Sequence, residues 1–157
     1  MIQNLQHFFY VFLISMVPVI ELRGAIPVGA ALDLPWYENY LAAVCGNLLP
    51  VPFIRLFIRH IFTWLEQHRY VSWLVDIINE KVRKHTNKVL RYARWGLLIF
   101  VAVPLPGTGA WTGALIAAFL GMRLRSALSA ISGGVAIAGG IMTAASYGIA
   151  GIFEYLG

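Results

Sequence analysis

Apolar residues dominate this chain in long runs, and short groups of prolines, glycines or charges interrupt them. No Asp, Glu, Lys or Arg occurs at residues 95–122 or at residues 126–153. Each of these runs exceeds the roughly 18–20 residues that form a membrane helix. A third uncharged run covers residues 39–54. The pattern predicts an all-α integral membrane protein.

The run at residues 95–122 is interrupted at its centre by Pro104, Pro106, Gly107 and Gly109. Prolines and glycines this close together break most helices. Each flanking half is about as long as half a bilayer, which favours a re-entrant hairpin over a kinked transmembrane helix. Basic clusters precede and follow the run, and the positive-inside rule places both clusters in the cytoplasm only if the run does not cross.

The sequence PVIELRGAIP interrupts the N-terminal apolar region in a similar way. It contains Glu21 and Arg23, followed by Gly24 and Pro27. The acidic residues that come next have no basic neighbours, so we expect this hairpin to open toward the outside. The second hairpin then opens from the inside, and the two hairpins are inverted.

A weak internal echo agrees with this arrangement. The stretch LRGAIPVGAAL at residues 22–32 aligns without gaps on LPGTGAWTGAL at residues 105–115. A broken hairpin followed by a helix, repeated in opposite orientation, is a transporter plan with substrate bound near the midplane. We predict one membrane domain with these parts: repeat 1 at about 1–62 (hairpin 8–34, transmembrane helix 38–62), a cytoplasmic amphipathic segment at 63–94, and repeat 2 at about 95–157 (hairpin 95–122, transmembrane helix 126–153).

Composition narrows the function classes. Charged residues make up 12% of the chain, against about 25% in soluble domains. The net charge is +5, and the basic residues lie where they would set the membrane topology, so we expect no nucleic-acid partner. The basic residues of 63–94 either also bind the anionic inner leaflet or only set the orientation of the protein. Cys45 is the single cysteine, and the four histidines lack metal-ligand spacing, so we expect no metal and no other cofactor. No nucleophile and base are paired, so we expect no enzyme.

The N-terminus lacks the basic residues and the cleavage site of a secretory signal, so we expect it to remain in the mature protein. Small residues recur every fourth position in the last run, and such stripes let helices approach closely in lipid. Their partner is either a hairpin of the same chain, the safer expectation, or a second subunit. The stripe comprises Ser132, Ala136, Gly140, Ala144 and Gly148.

Charges deep in a membrane are costly and usually mark a pathway. At a broken hairpin tip, Glu21 can carry a proton through a transport cycle and Arg23 can hold an anionic group. Two alternatives are an ion pair that only holds the tip together, and a break near the outer surface with solvated charges. Asn47 either bonds a hairpin tip or touches substrate, and Trp111 either lines the site or packs.

Half-helices that begin after Gly24 and Gly109 would add the positive ends of their dipoles to this site. The predicted substrate and proton pathway comprises Glu21, Arg23, Gly24, Pro27, Asn47, Pro104, Pro106, Gly107, Gly109 and Trp111.

The segments ELRGAIP and PLPGTGAWTGAL resemble the putative small multidrug export protein family, which consists of small prokaryotic membrane proteins. The resemblance covers nearly the whole chain. That family is distantly similar to the DedA/VTT superfamily, whose members have two oppositely oriented re-entrant hairpins and in several cases are implicated in moving lipids, including undecaprenyl phosphate. The first-hairpin carboxylate of those proteins corresponds to Glu21. Their second-hairpin arginine has no counterpart between Pro104 and Gly121.

We therefore expect a small transporter or translocase in the prokaryotic cytoplasmic (inner) membrane, coupled to protons. Its substrate is a lipid-linked anion (a lipid phosphate) or a small amphipathic compound, and its partners are membrane lipids. A homodimer is left open. The competing class is a non-transporting membrane scaffold or a lipid-organising dimer.

Overall fold

The computed structural model describes residues 2–54, 56–58 and 86–156, and every regular element within these ranges is an α-helix. The prediction of an all-helical protein is therefore confirmed for the described part of the chain. The predicted amphipathic segment lies outside the described residues as far as residue 85. The helices are α1 (Ile2–Ser15), α2 (Glu21–Ala31), α3 (Trp36–Leu48), α4 (Thr86–Ala102), α5 (Ala110–Phe119) and α6 (Leu124–Leu156).

Two helical stretches are long and apolar enough to cross a membrane, Trp36–Ile58 and Leu124–Gly148. The first consists of α3 and its continuation, and the second is most of α6. They overlap the transmembrane helices predicted at 38–62 and 126–153, although residues 59–62 are outside the described part. The four remaining helices form two pairs, α1 with α2 and α4 with α5, and a short break separates the members of each pair.

The first break is shorter than the sequence predicts. It occupies residues 16–20, and α2 already begins at Glu21. Gly24 is therefore inside α2 and does not precede a helix N-terminus, which corrects our expectation. Pro27 also lies within α2, because one proline removes a single backbone hydrogen bond and the neighbouring residues keep the helix. The second break, at residues 103–109, ends at Gly109 as predicted.

Helix α1 packs closely on α3, and a glycine of α3 makes this contact possible. A Cβ added at Gly46 would overlap the backbone carbonyl of Phe12. Nearby, the Ser15 hydroxyl donates a hydrogen bond of 2.6 Å to the carbonyl of Ala43. The second half has the same device, because a Cβ at Gly134 of α6 would lie 2.8 Å from the carbonyl oxygen of Leu98 in α4. Backbone contact of this kind is typical of helices that associate in lipid.

The two halves also share the turn that follows their second short helix. Asp33 after α2 and Gly121 after α5 both have left-handed backbones, with φ of 54° and 60°. The next residue, Leu34 or Met122, is buried, and its N–H donates a 3.0 Å hydrogen bond back to the carbonyl of the residue five positions earlier. These are the marks of a Schellman cap.

Matching the two caps gives a register between the halves that differs from the echo in the sequence. Pairing Asp33 with Gly121 also pairs Gly46 with Gly134, the two glycines at the helix contacts. The ungapped sequence alignment instead pairs Gly24, inside α2, with Gly107, in the second break. The structural match and the sequence echo therefore pair different residues, because the echo rests on small residues that recur often in this chain.

Polar side chains tie α2, α3 and α6 together. Asn39 Nδ2 donates to the carbonyl of Ile26 at 2.8 Å and to the Tyr147 hydroxyl at 3.0 Å. That hydroxyl in turn donates to the carbonyl of Leu34. Tyr40 donates to the carbonyl of Ala136 at 3.1 Å. Because each of these groups is at least partly buried, the bonds fix α6 against the first half of the chain.

The small-residue stripe of α6 makes an internal contact over only part of its length. Ala136 is half-buried and bonds to Tyr40, whereas Gly140, Ala144 and Gly148 are exposed. The first half of the stripe therefore contacts the same chain, but at Ala136 the partner belongs to α3 and not to a hairpin as expected.

A glycine-to-alanine comparison tests the α1–α3 contact. Gly46→Ala should lower the thermal unfolding midpoint in detergent, because an added methyl group in a filled contact costs about 1–3 kcal/mol. Gly96→Ala is the control, since nothing lies within 4 Å of a Cβ at this exposed position of α4. The control should leave the midpoint unchanged or raise it. Equal midpoints for the two variants would contradict the described contact.

Candidate functional site

Glu21 and Arg23 at the start of α2 lie against the second break of the chain. Arg23 Nη1 forms an ion pair of 3.0 Å with Glu21 Oε2. Glu21 is only 4% exposed, and Arg23 is half-buried. We refer to Glu21, Arg23, Thr108 and the backbone of Val103 and Trp111 as the charged junction. It joins two parts of the chain that are more than eighty residues apart.

Glu21 caps the N-terminus of α5 from another helix. The N-cap residue of α5 is Gly109, which has no side chain to accept a hydrogen bond. The Trp111 N–H instead donates to Glu21 Oε1 at 3.4 Å. A carboxylate is favourable here because the first N–H groups of a helix are unsatisfied and carry partial positive charge.

The glycine at position 109 is what allows this approach. A Cβ at Gly109 would overlap the carboxylate of Glu21. Glu21 itself has a left-handed backbone with φ of 50°, which is uncommon for a residue with a side chain. This conformation costs of order 1 kcal/mol, and the bonds of the carboxylate offset it.

Arg23 occupies the opposite end of the break. Its Nη2 donates to the carbonyl of Val103 at 3.2 Å, to the carbonyl of Thr108 at 2.5 Å and to Thr108 Oγ1 at 2.9 Å. Val103 directly follows the last residue of α4, so the guanidinium sits at the C-terminal end of a helix, where partial negative charge favours a cation.

Thr108 completes the network within the break. Its hydroxyl lies 2.7 Å from the carbonyl oxygen of Val103 and 2.9 Å from that of Leu105, and it accepts from the Leu105 N–H at 3.3 Å. Two backbone bonds, from the Leu105 N–H to the carbonyl of Val103 at 2.8 Å and from the Thr108 N–H to the carbonyl of Leu105 at 3.2 Å, act together with this hydroxyl and the guanidinium to satisfy polar groups of the break. This is what a break in an apolar surrounding requires.

The ion pair thus matches two opposed helix ends at once. The cation lies at the C-terminus of α4, and the anion lies at the N-terminus of α5. Trp111 adds a further bond between the two halves of the chain, because its Nε1 donates to the carbonyl of Met16 in the first break at 3.2 Å. The two breaks are therefore held together at both the charged pair and the indole.

The structure brings only part of the predicted pathway into this junction. Glu21, Arg23, Gly109 and Trp111 meet there. Pro104, Pro106 and Gly107 belong to the second break, where Pro106 and Gly107 are exposed and Gly107 has φ of 84°. Gly24 packs on Ile20, and Pro27 is exposed on α2.

Asn47 departs from expectation. It is buried in the stretch Trp36–Ile58, and neither atom of its amide has a hydrogen-bond partner among the residues that the structure describes. The expected hydrogen bond from Asn47 to a hairpin tip is therefore not formed.

Sequence reasoning missed Thr108, the main acceptor for Arg23, and the bond between Asn39 and Tyr147. A threonine between two glycines was the available signal for the first. For the bond between Asn39 and Tyr147, the position of Asn39 at the start of an uncharged run was the available signal, but nothing in the sequence identifies a partner 108 residues away. In the described ranges, no three His, Cys, Asp or Glu side chains lie close enough to hold a metal ion.

The all-helical fold of the described residues and the two stretches long and apolar enough to cross a membrane indicate a helical membrane protein. A family model described as "Putative small multi-drug export protein" matches residues 21–141, which include the whole junction. The chain belongs to this family. Its description is that of an export protein, which is a class of transporter and not of enzyme. Comparison with curated proteins and with solved structures gives no match.

Exchanging the two charges tests the match with the helix ends. Glu21→Ala or Arg23→Ala should each lower the thermal midpoint in detergent, since a hydrogen bond to a charged group contributes about 1.5–3 kcal/mol. The double variant Glu21→Arg, Arg23→Glu keeps an ion pair but puts each charge at the wrong helix end. It should therefore remain as unstable as the single variants. Recovery of the wild-type midpoint would show that only the pair matters and not its orientation.

Proposed function

We propose that this protein is a small secondary transporter, coupled to protons, whose substrate site forms at the charged junction. The observation that carries the proposal is the burial of Glu21, ion-paired with the half-buried Arg23, where two helix breaks meet in an apolar helical protein. Ionisable side chains in such a position usually belong to a pathway for ions or substrate. The family description, that of an export protein, supports the transport class.

The geometry suggests how proton and substrate are coupled. While Glu21 is ionised, it pairs with Arg23 and caps α5. A proton that binds the carboxylate removes the ion pair and the negative charge at the α5 N-terminus together. The guanidinium and the helix N-terminus can then receive an anionic group. Binding of a proton and of an anion at the junction are thereby linked.

The substrate class that fits is a lipid-linked anion or a small amphipathic compound. A guanidinium binds phosphate or carboxylate through paired hydrogen bonds. The apolar residues around the breaks, with Val19, Ile20 and Leu105 exposed, would accommodate an acyl chain or another apolar body. Membrane lipids are the expected surroundings of this surface.

For the topology, we propose two re-entrant hairpins, α1–α2 from the outer side and α4–α5 from the inner side, with their breaks meeting near the midplane. The matched Schellman caps and the matched contact glycines support an inverted repeat like that of the DedA/VTT superfamily. The basic residues 63–94 would then be cytoplasmic, and the protein would be a multi-pass protein of a prokaryotic inner membrane.

A second candidate, a non-transporting scaffold or lipid-organising dimer, is favoured by one observation. Both charges of the junction are already engaged with helix ends, as a purely structural ion pair would be. The two candidates differ in what happens when the carboxylate is neutralised without loss of the fold.

Reconstituted protein separates the two candidates. In liposomes with a pH gradient, the wild type should move a labelled lipid phosphate or a fluorescent amphiphile, and Glu21→Gln should abolish this movement. Glu38→Gln is the matched control, because it removes a carboxylate by the same chemistry at the start of α3, away from the junction. It should transport normally.

Size-exclusion profiles must first show that both variants fold. A folded Glu21→Gln variant that transports like the wild type would rule out the proposed site. A wild type that moves neither compound would favour the scaffold.

Single cysteines test the topology. In a Cys45→Ser background, Tyr92→Cys and Leu124→Cys, both at exposed positions, should react with an impermeant thiol reagent from the same side of the membrane. Asp33→Cys, at an exposed position in the turn between α2 and α3, should react from the other side of the membrane. Labelling of positions 92 and 124 from opposite sides would exclude a re-entrant second hairpin.

A further inference from the structure

Asn47 lies at the midpoint of the candidate span Trp36–Ile58. Its side chain is 1% exposed, and neither Oδ1 nor Nδ2 has a hydrogen-bond partner among the described residues. A buried amide without partners is strongly unfavourable, and the hydrocarbon of a bilayer supplies no water to compensate. A group of this kind in a native membrane helix therefore needs a partner that the described residues do not provide.

The backbone beside Asn47 has unmet hydrogen-bonding capacity as well. Pro50 and Pro52 have no N–H groups. The carbonyls of Gly46 and Leu48 therefore cannot accept the usual helical hydrogen bonds from four residues further on. Three consecutive residues, 46–48, thus carry an amide without a partner among the described residues and two carbonyls that lack their usual donors, all at the midpoint of the candidate span.

The charge at this place indicates what kind of group can bind. No charged residue occurs at positions 39–54, and Glu21 and Arg23 are paired with each other at the junction. A bound ion would find no counter-charge within seven residues of Asn47 on this helix, whereas a neutral group would not need one. An amide offers both a donor and an acceptor, and the carbonyls are acceptors. A hydroxyl group complements both kinds of group.

We propose that Asn47 and the adjacent backbone form a second polar site, at the centre of the span, that binds a hydroxyl group. The hydroxyl comes either from water that enters this point in an open state, or from the polar part of a transported amphiphile. Only the second source rests on the proposed transport function.

A pair of matched variants first tests whether the resting fold uses the amide. Asn47→Leu should not lower the thermal midpoint in detergent, because no hydrogen bond is lost. Asn39→Leu should lower the midpoint, because Asn39 lies on the same helical stretch as Asn47 but its amide donates to the carbonyl of Ile26 and to the Tyr147 hydroxyl. If Asn47→Leu is destabilised as much as Asn39→Leu, the amide has a structural partner and the proposal is wrong.

Cysteine reactivity tests the water source without any transport assay. In a Cys45→Ala background in native membranes, a charged, water-soluble methanethiosulfonate should label Asn47→Cys. Ala42→Cys is the control, since Ala42 is fully buried on another face of the same helix, and it should stay unlabelled. Labelling of both positions would show general wetting and would contradict a defined site.

Two lipids that differ only in their hydroxyl groups test the substrate source. Short-chain fluorescent phosphatidylglycerol carries two headgroup hydroxyls, and phosphatidylpropanol carries none. The wild type should move the first faster, and Asn47→Leu should reduce that preference by about tenfold, the factor expected for one lost hydrogen bond.

The outcomes separate the two proposals. If the wild type moves neither lipid, transport of lipid fails while cysteine labelling still decides the site. If Asn47→Cys is unlabelled and the lipid preference is absent or unchanged in Asn47→Leu, the site does not bind hydroxyl groups and the inference is overturned.

Discussion

The structure depends on the ion pair between Glu21 and Arg23, because it closes the gap between α4 and α5. A break in an apolar helix leaves carbonyls unpaired on one side and N–H groups unpaired on the other. Arg23 bonds to the first side, at 3.2 Å from the carbonyl of Val103, and Glu21 bonds to the second side, at 3.4 Å from the N–H of Trp111. Two residues of one short helix thereby stabilise the break of another, and the halves of the chain cannot separate without exposing both.

The same interaction is also the part of the molecule most open to change. In the proposed mechanism, a proton neutralises Glu21, and Arg23 and the N-terminus of α5 then become available to an anionic ligand. Apolar packing and glycine contacts elsewhere, such as Gly46 on Phe12, have no comparable chemical switch. Structural and transport roles for the pair are therefore compatible, since a gate in a transporter must hold when closed and release when a ligand arrives.

Much of the architecture could be predicted from the sequence, because it follows from local rules. Long uncharged runs gave the two apolar spans, and the clustered Pro104, Pro106 and Gly107 gave the second break. The extent of the first break could not be predicted, since Pro27 is tolerated within α2. Nor could the register between the halves, because small residues recur too often to mark equivalent positions. Glu21, Arg23, Gly109 and Trp111 were assigned to one pathway from the sequence, but the acceptor Thr108 depends on contacts between distant residues that one sequence does not reveal.

Depth measurements on spin labels test most directly whether the two breaks meet inside the bilayer. Labels at Val19 and Leu105, both exposed positions within the breaks, would be compared in liposomes for collisions with oxygen and with a water-soluble nickel chelate. The account predicts that both labels favour oxygen strongly and report similar depths near the bilayer centre. A label that collides freely with the nickel chelate, or depths that place the two breaks near opposite surfaces, would contradict it.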